Sequence, residues 1–225
     1  MGFKRVFSIN EYPRGAELTG KLIGIGFKIG GIKEENPNIE DTIIAAAIEG
    51  MTGDFRTLSL LTDWLLVHAE ILNVERLYKS LKNLNNQRVN AYFASIGWQI
   101  KKDPRFKKIE SLYKGQKLFL DTNQSYEFLV SRNGEDRRFE KTKLIVANGS
   151  LRSRPVDIAT PREMVQMHKD YYYRTLIGPS FRADMVSCFL RERNISAADL
   201  ARRCYGSFAT AWQVVSDMSL IGEKV

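Results

Sequence analysis

The stretch Ser196 to Leu220 (SAADLARRCYGSFATAWQVVSDMSL) constrains the fold more than any other part of the chain. Ser196 followed by Asp199 is a helix-start pattern, in which a hydroxyl and a carboxylate satisfy the first free amides. It places one helix from Ala197, with Leu200, Ala201 and Cys204 on one face. Gly206 permits a tight turn, and Ser207 can cap a second helix that carries Thr210, Ala211, Val214, Val215 and Met218. Two helices crossing steeply need a short side chain where their axes approach, and Ala201 supplies one.

Helical periodicity extends through most of the remaining sequence. Arg182 to Arg193 carries Met185, Val186, Phe189 and Leu190 on an inward face. Thr160-Pro161-Arg162-Glu163 is a complete helix start, with a capping hydroxyl, a first-turn proline and an acid three residues on. Four helices are expected before it. One opens at Asn38-Ile39-Glu40-Asp41 and presents Ile43, Ile44, Ala46, Ala47 and Ile48. The second, Leu58 to Leu72, is apolar on most sides and so central to a core. Asn73 caps the third, Val74 to Leu84, and the fourth runs from about Val89 to Lys101. The glycine-rich Leu22 to Ile32 reads as a packed or bent segment, because its spacing is not that of a dinucleotide-binding loop.

After Asp103-Pro104 the texture changes. Lys117 to Asp121, Tyr126 to Ser131 and Lys143 to Ala147 are short and rich in β-formers, and Asn-Gly follows two of them. The expectation is a mainly α chain with an N-terminal helical bundle (1–114), a small antiparallel β element of two to four strands with a linker (115–160), and a C-terminal helix-turn-helix (161–225). Tyr171-Tyr172-Tyr173-Arg174 reads as a junction between units, with Arg174 over a ring, in preference to a platform for stacking bases.

The chain has 225 residues, 44% of them hydrophobic, which suffices for a sizeable core. Its net charge of +8 favours an anionic partner, nucleic acid first. The excess is local: residues 101–181 hold 17 Lys+Arg against 10 Asp+Glu, whereas residues 1–100 hold 11 of each and residues 182–225 hold 6 and 5. Within that region Lys101, Lys102, Arg105, Lys107 and Lys108 cluster, with Phe106 and Tyr113 interleaved. They form either a solvated helix end or a patch contacting phosphates, which would draw in Arg137, Arg138, Arg152 and Arg154.

Catalytic and metal chemistry find little footing. His68 and His168 have no cysteine, histidine or paired-carboxylate company, and His68 reads as a packed or rim histidine. Cys188 and Cys204 fall on apolar helical positions and read as buried reduced thiols. No serine sits in a nucleophile elbow. The expectation is a non-enzymatic protein with no cofactor and no metal. The N-terminal MGFKRVFSINEYPRG lacks the apolar run of a signal peptide, and polar residues interrupt the densest apolar stretch. A cytoplasmic protein with no membrane partner follows as an expectation.

The C-terminal pattern resembles the helix-turn-helix superfamily of DNA-binding domains, of winged-helix or simple three-helix type. Leu200-Ala201, Cys204-Tyr205-Gly206, Ser207 and Thr210-Ala211 carry the resemblance, with Arg182 to Arg193 as the supporting first helix. The resemblance implies that Ser207 to Met218 is offered to the major groove, with Phe208, Ala209, Trp212, Gln213 and Ser216 outward. It implies that Gln213 reads adenine, that Ser207 and Thr210 bond phosphate, and that Arg202 and Arg203 hold the backbone. The implied function is nucleic-acid binding, duplex DNA favoured, in a bacterial-type transcriptional regulator or a DNA-associated accessory protein. This helix holds no Lys or Arg and carries Asp217. Phe208 and Trp212 fit a protein partner or a homodimer better than base edges, which leaves an assembly or adaptor subunit as the alternative.

Overall fold

The computed structural model describes residues 9–192 and 194–222. Among them, local sequence sets most helix starts. α1 spans Gly15–Gly24. α2 (Ile39–Gly50) begins where the Asn38 side chain accepts the Asp41 amide at 2.9 Å. α3 (Phe55–His68) starts on Asp54 in the same way. It ends four residues short of the expected Leu72, because a 3-10 turn at Ala69–Ile71 redirects the chain into the Asn73 cap of α4 (Val74–Leu84). α5 follows at Gln87–Gln99 and the short α6 at Lys107–Glu110.

The middle region departs from expectation in two ways. Tyr126 to Ser131 is not a strand: it lies within α7 (Gln124–Asn133), which Gly134 terminates at φ 77. Tyr126 alone of that helix is buried, and its hydroxyl accepts the Ala147 amide at 2.9 Å. Leu129 and Val130, three and four residues beyond Tyr126, are half-buried against the same core, so the segment meets it at helical and not alternating spacing. The sheet is also parallel, not antiparallel. β1 (Leu118–Phe119) pairs with β2 (Leu144–Ile145), Leu118 opposite Leu144. α7 intervenes as the crossover, which a parallel pair requires and a hairpin does not.

α8 (Pro161–Met167) carries the full Thr160/Glu163 capping box. α9 (Lys169–Ile177), α10 (Phe181–Arg191), α11 (Ala197–Arg203) and α12 (Phe208–Leu220) complete the chain. The molecule is thus mainly α, with one minimal sheet among the described residues.

Two apolar clusters organise these elements. The larger runs from Tyr12 to Tyr171 and includes Trp64, Tyr92 and Phe93. Leu120, Phe139, Leu144 and Val146 of the middle region pack in that same cluster. The smaller comprises Met185, Phe189, Leu200, Ala201, Ala211 and Val214 among others, from α10, α11 and α12. Both cysteines are buried in this smaller cluster with free thiols. His68 is buried in the large one, between the Tyr171 hydroxyl and the Ala159 carbonyl, each 3.0 Å away. Burial pushes its pKa down from 6.5 to about 4.

The glycine-rich bend after α1 is a close-packing device. A Cβ on Gly24 would collide with the Glu34 carbonyl and stand 2.6 Å from Pro37 Cδ. No helix among the described residues is long and apolar enough to cross a membrane.

Candidate nucleic-acid interface

The C-terminal unit is built on its turn. Gly206 packs so closely that a Cβ there would collide with the Met185 methyl. Tyr205 takes a left-handed conformation at φ 58. The turn delivers Ser207 as the cap of α12, its Oγ accepting the Thr210 amide at 3.1 Å. Ala211, Val214 and Met218 then face inward. Phe208, Ala209, Trp212 and Gln213 remain exposed, Trp212 by 58% and Phe208 by 49%, and Ser216 is half-buried.

A layer of buried charge fastens this unit to the rest of the molecule. Arg174 of α9 donates from Nε to Asp184 of α10 at 2.6 Å, and from Nη1 and Nη2 to Glu40 of α2 at 2.7 and 2.8 Å. Burial opposes its charge, yet Asp184 and Glu40 hold the guanidinium well above its ordinary pKa. Arg76 of α4 lies 3.6 Å from Asp184 and from Asp41, and 3.9 Å from Glu40. Its guanidinium stands 4.0 Å above the Tyr205 ring, and the Tyr205 hydroxyl donates to Asp41 at 2.7 Å. The expected stacking of Arg174 on a ring is therefore corrected: carboxylates occupy Arg174, and Arg76 is the cation that stacks. Glu40 Oε1 also accepts the Asn73 amide at 3.0 Å. The turn between α11 and α12 is thereby tied to α2 and α4.

The cations picked out from the sequence scatter among several roles. Arg202 pairs with Asp199 at 2.6 Å and Arg203 with Glu192, both on the surface beside the turn. Gln213 donates to Asp217 at 2.9 Å, and Asp217 also pairs with Arg182 at 2.7 Å. The carboxylate within α12 is thus neutralised locally, and Gln213 is occupied by it.

In the middle region Arg105 is a structural clamp. It chelates Asp103 and donates to the Leu72 and Glu70 carbonyls at 3.3 and 3.1 Å. Lys108 pairs with Glu75 at 2.5 Å. Lys101 lies 4.9 Å above the Trp98 ring, and Lys102 is exposed. Lys107 lines a cleft beside α5 that also receives Lys114, Lys141 and Lys143. Arg152 and Arg154 line a different cleft, of about 440 Å³, with Arg56. Arg138 chelates Asp136 and donates to the Leu151 carbonyl.

Sequence reasoning passed over Lys114, Lys141, Lys143 and Arg56, which have no local motif to mark them. It also passed over the Glu40–Arg76–Arg174–Asp184 layer. Its only sequence signal is acidic residues in the first turns of α2 and α10, where they ordinarily serve the helix dipole. Among the described residues no group of three or more His, Cys, Asp or Glu is arranged to hold a metal. No family model, curated protein or solved structure matches the chain.

Proposed function

We propose that the protein binds nucleic acid, duplex DNA first, as a transcriptional regulator or DNA-associated accessory protein. The observation that carries this reading is the exposure of the outer face of α12 next to hydroxyl and guanidinium groups of a kind that can contact phosphate. Ser207 and Thr210 stand at the helix N-terminus, where amide dipoles favour an anion. Arg202 and Arg203 flank it, 60% and 53% exposed. Their ion pairs are surface pairs, worth about 0–1 kcal/mol, and phosphate competes with such partners readily. Phe208 can meet a thymine methyl, whereas Gln213 must leave Asp217 before it reads a base. The local excess of positive charge in residues 101–181 adds non-specific attraction.

The test is duplex binding as a function of salt. Affinity should fall linearly on a logarithmic salt axis, and Arg202→Gln with Arg203→Gln should lower the slope by roughly two. Absence of duplex binding at low salt refutes the reading.

One observation favours a second reading. Phe208 and Trp212 are four residues apart on α12, and Leu220, eight residues beyond Trp212, is 82% exposed. This apolar stripe suits a protein partner or a second copy of the chain in an assembly or adaptor subunit. Trp212→Ala should then abolish self-association in sedimentation without lowering the melting temperature. A chain that is monomeric with and without Trp212 counts against homodimerisation.

A further inference from the structure

The cleft beside α5 has a composition that the α12 reading does not use. Four lysines line its volume of about 420 Å³: Lys107, Lys114, Lys141 and Lys143. Trp98 and Tyr113 line it with them. The lysines arrive from separate parts of the chain: Lys107 from α6, Lys114 from the turn after it, and Lys141 and Lys143 from the segment entering β2. Trp98 comes from the last turn of α5. Only the fold brings these groups together.

The cleft carries a net positive charge, four lysines against one carboxylate. Neighbouring lysines have carboxylate partners, Lys108 with Glu75 and Lys117 with Glu135. Among the described residues, no side-chain ammonium of the four cleft lysines makes an ion pair or hydrogen bond, although the backbone carbonyls of Lys107 and Lys143 accept from Ser111 and Leu118. Glu110 is the one carboxylate in the lining, and it lies beyond ion-pair distance of all four. Exposed lysines cost a fold almost nothing when they are dispersed. Four around one concavity repel one another and focus a positive potential within it. The aromatic pair adds what a bare anion site lacks. Trp98 is half-buried and lines the cleft, with Lys101 Nζ 4.9 Å over its ring as a further cation, and Tyr113 is held by its own hydroxyl, which donates to the Gln116 carbonyl at 2.9 Å. A volume of this size suits a ligand of nucleotide dimensions. Cations for phosphates and ring faces for a base are the pairing that nucleotide-binding surfaces use.

We propose that this cleft binds a nucleotide unit, with the lysines on its phosphates and the base laid against Trp98 and Tyr113. The site is separate from α12 and does not depend on duplex binding there. The same chemistry can reach it as a free nucleotide or as one residue of a single strand.

Calorimetry on the full chain tests this with three probes: adenosine triphosphate, inorganic tripolyphosphate and an oligothymidylate. Adenosine triphosphate should bind more tightly than tripolyphosphate. Lys141→Gln with Lys143→Gln should weaken both by about tenfold or more, by removal of two charge-assisted contacts. Lys107→Gln with Lys114→Gln, on the other side of the cleft, should do the same, which guards against misfolding of either variant. Trp98→Leu should weaken adenosine triphosphate and leave tripolyphosphate unchanged. Arg202→Gln with Arg203→Gln should leave both unchanged. Displacement of adenosine triphosphate by the oligothymidylate identifies a strand as the source, and its failure to compete identifies the free nucleotide. The proposal is overturned if adenosine triphosphate does not bind at roughly 1 mM. It is equally overturned if folded lysine variants bind unchanged, or if Trp98→Leu leaves adenosine triphosphate binding as it was.

Discussion

Replacing Arg174 by methionine should destabilise the protein severely while leaving its surface unaltered. Arg174 is 1% exposed and fills its donors with Glu40, Asp184 and the Ile71 carbonyl. Methionine keeps most of the length and removes the charge. Glu40 and Asp184 then share a buried layer with Asp41 and one remaining cation, Arg76. Breaking a buried pair from one side costs about 3–5 kcal/mol, because the orphaned charge stays desolvated. Arg76 lies within 4 Å of all three carboxylates, so the lower end, about 3 kcal/mol, is expected. Urea unfolding at pH 7 measures the loss as a lowered midpoint at unchanged slope. Adding Glu40→Gln to the variant should recover part of the loss, since it removes an unpaired charge. A loss below about 1 kcal/mol, or a further drop on adding Glu40→Gln, would refute the account of this layer as carboxylates held by two guanidinium groups.

Acid should act through His68. Its folded pKa, about 4, lies below the ordinary 6.5, so the unfolded chain takes the proton first. Stability is therefore full above pH 6.5 and falls as pH drops toward 4, by up to about 3 kcal/mol. His168, also lowered chiefly by burial, acts with the same sign. Melting temperatures for His68→Gln across that range should show a flatter slope than the parent, and an identical slope would rule His68 out. Gly24→Ala should cost about 1–3 kcal/mol through overpacking against Glu34 and Pro37. An unchanged urea midpoint would contradict the close approach of those chains.

The sequence by itself determined the mainly helical class and most helix starts. Asn38, Asn73, Thr160, Ser196 and Ser207 all cap the helices expected of them, because a cap joins residues three apart and needs nothing from the rest of the chain. The inward faces of α10, α11 and α12 were legible for the same reason, since Met185, Leu200 and Val214 follow helical period.

Tertiary structure decided the remainder. Tyr126 to Ser131 has β-forming composition, but Tyr126, Leu129 and Val130 meet the core at helical spacing, and the helix they form is the crossover between two parallel strands. Glu40 looked like an ordinary first-turn acid until Arg174, 134 residues away, met it in the interior. The lysines around Trp98 are unremarkable in sequence and become one charged concavity only when α5, α6 and the approach to β2 converge. Local propensity is written in neighbouring residues, whereas burial, charge pairing and cavities are properties of chain segments that meet only in the folded state.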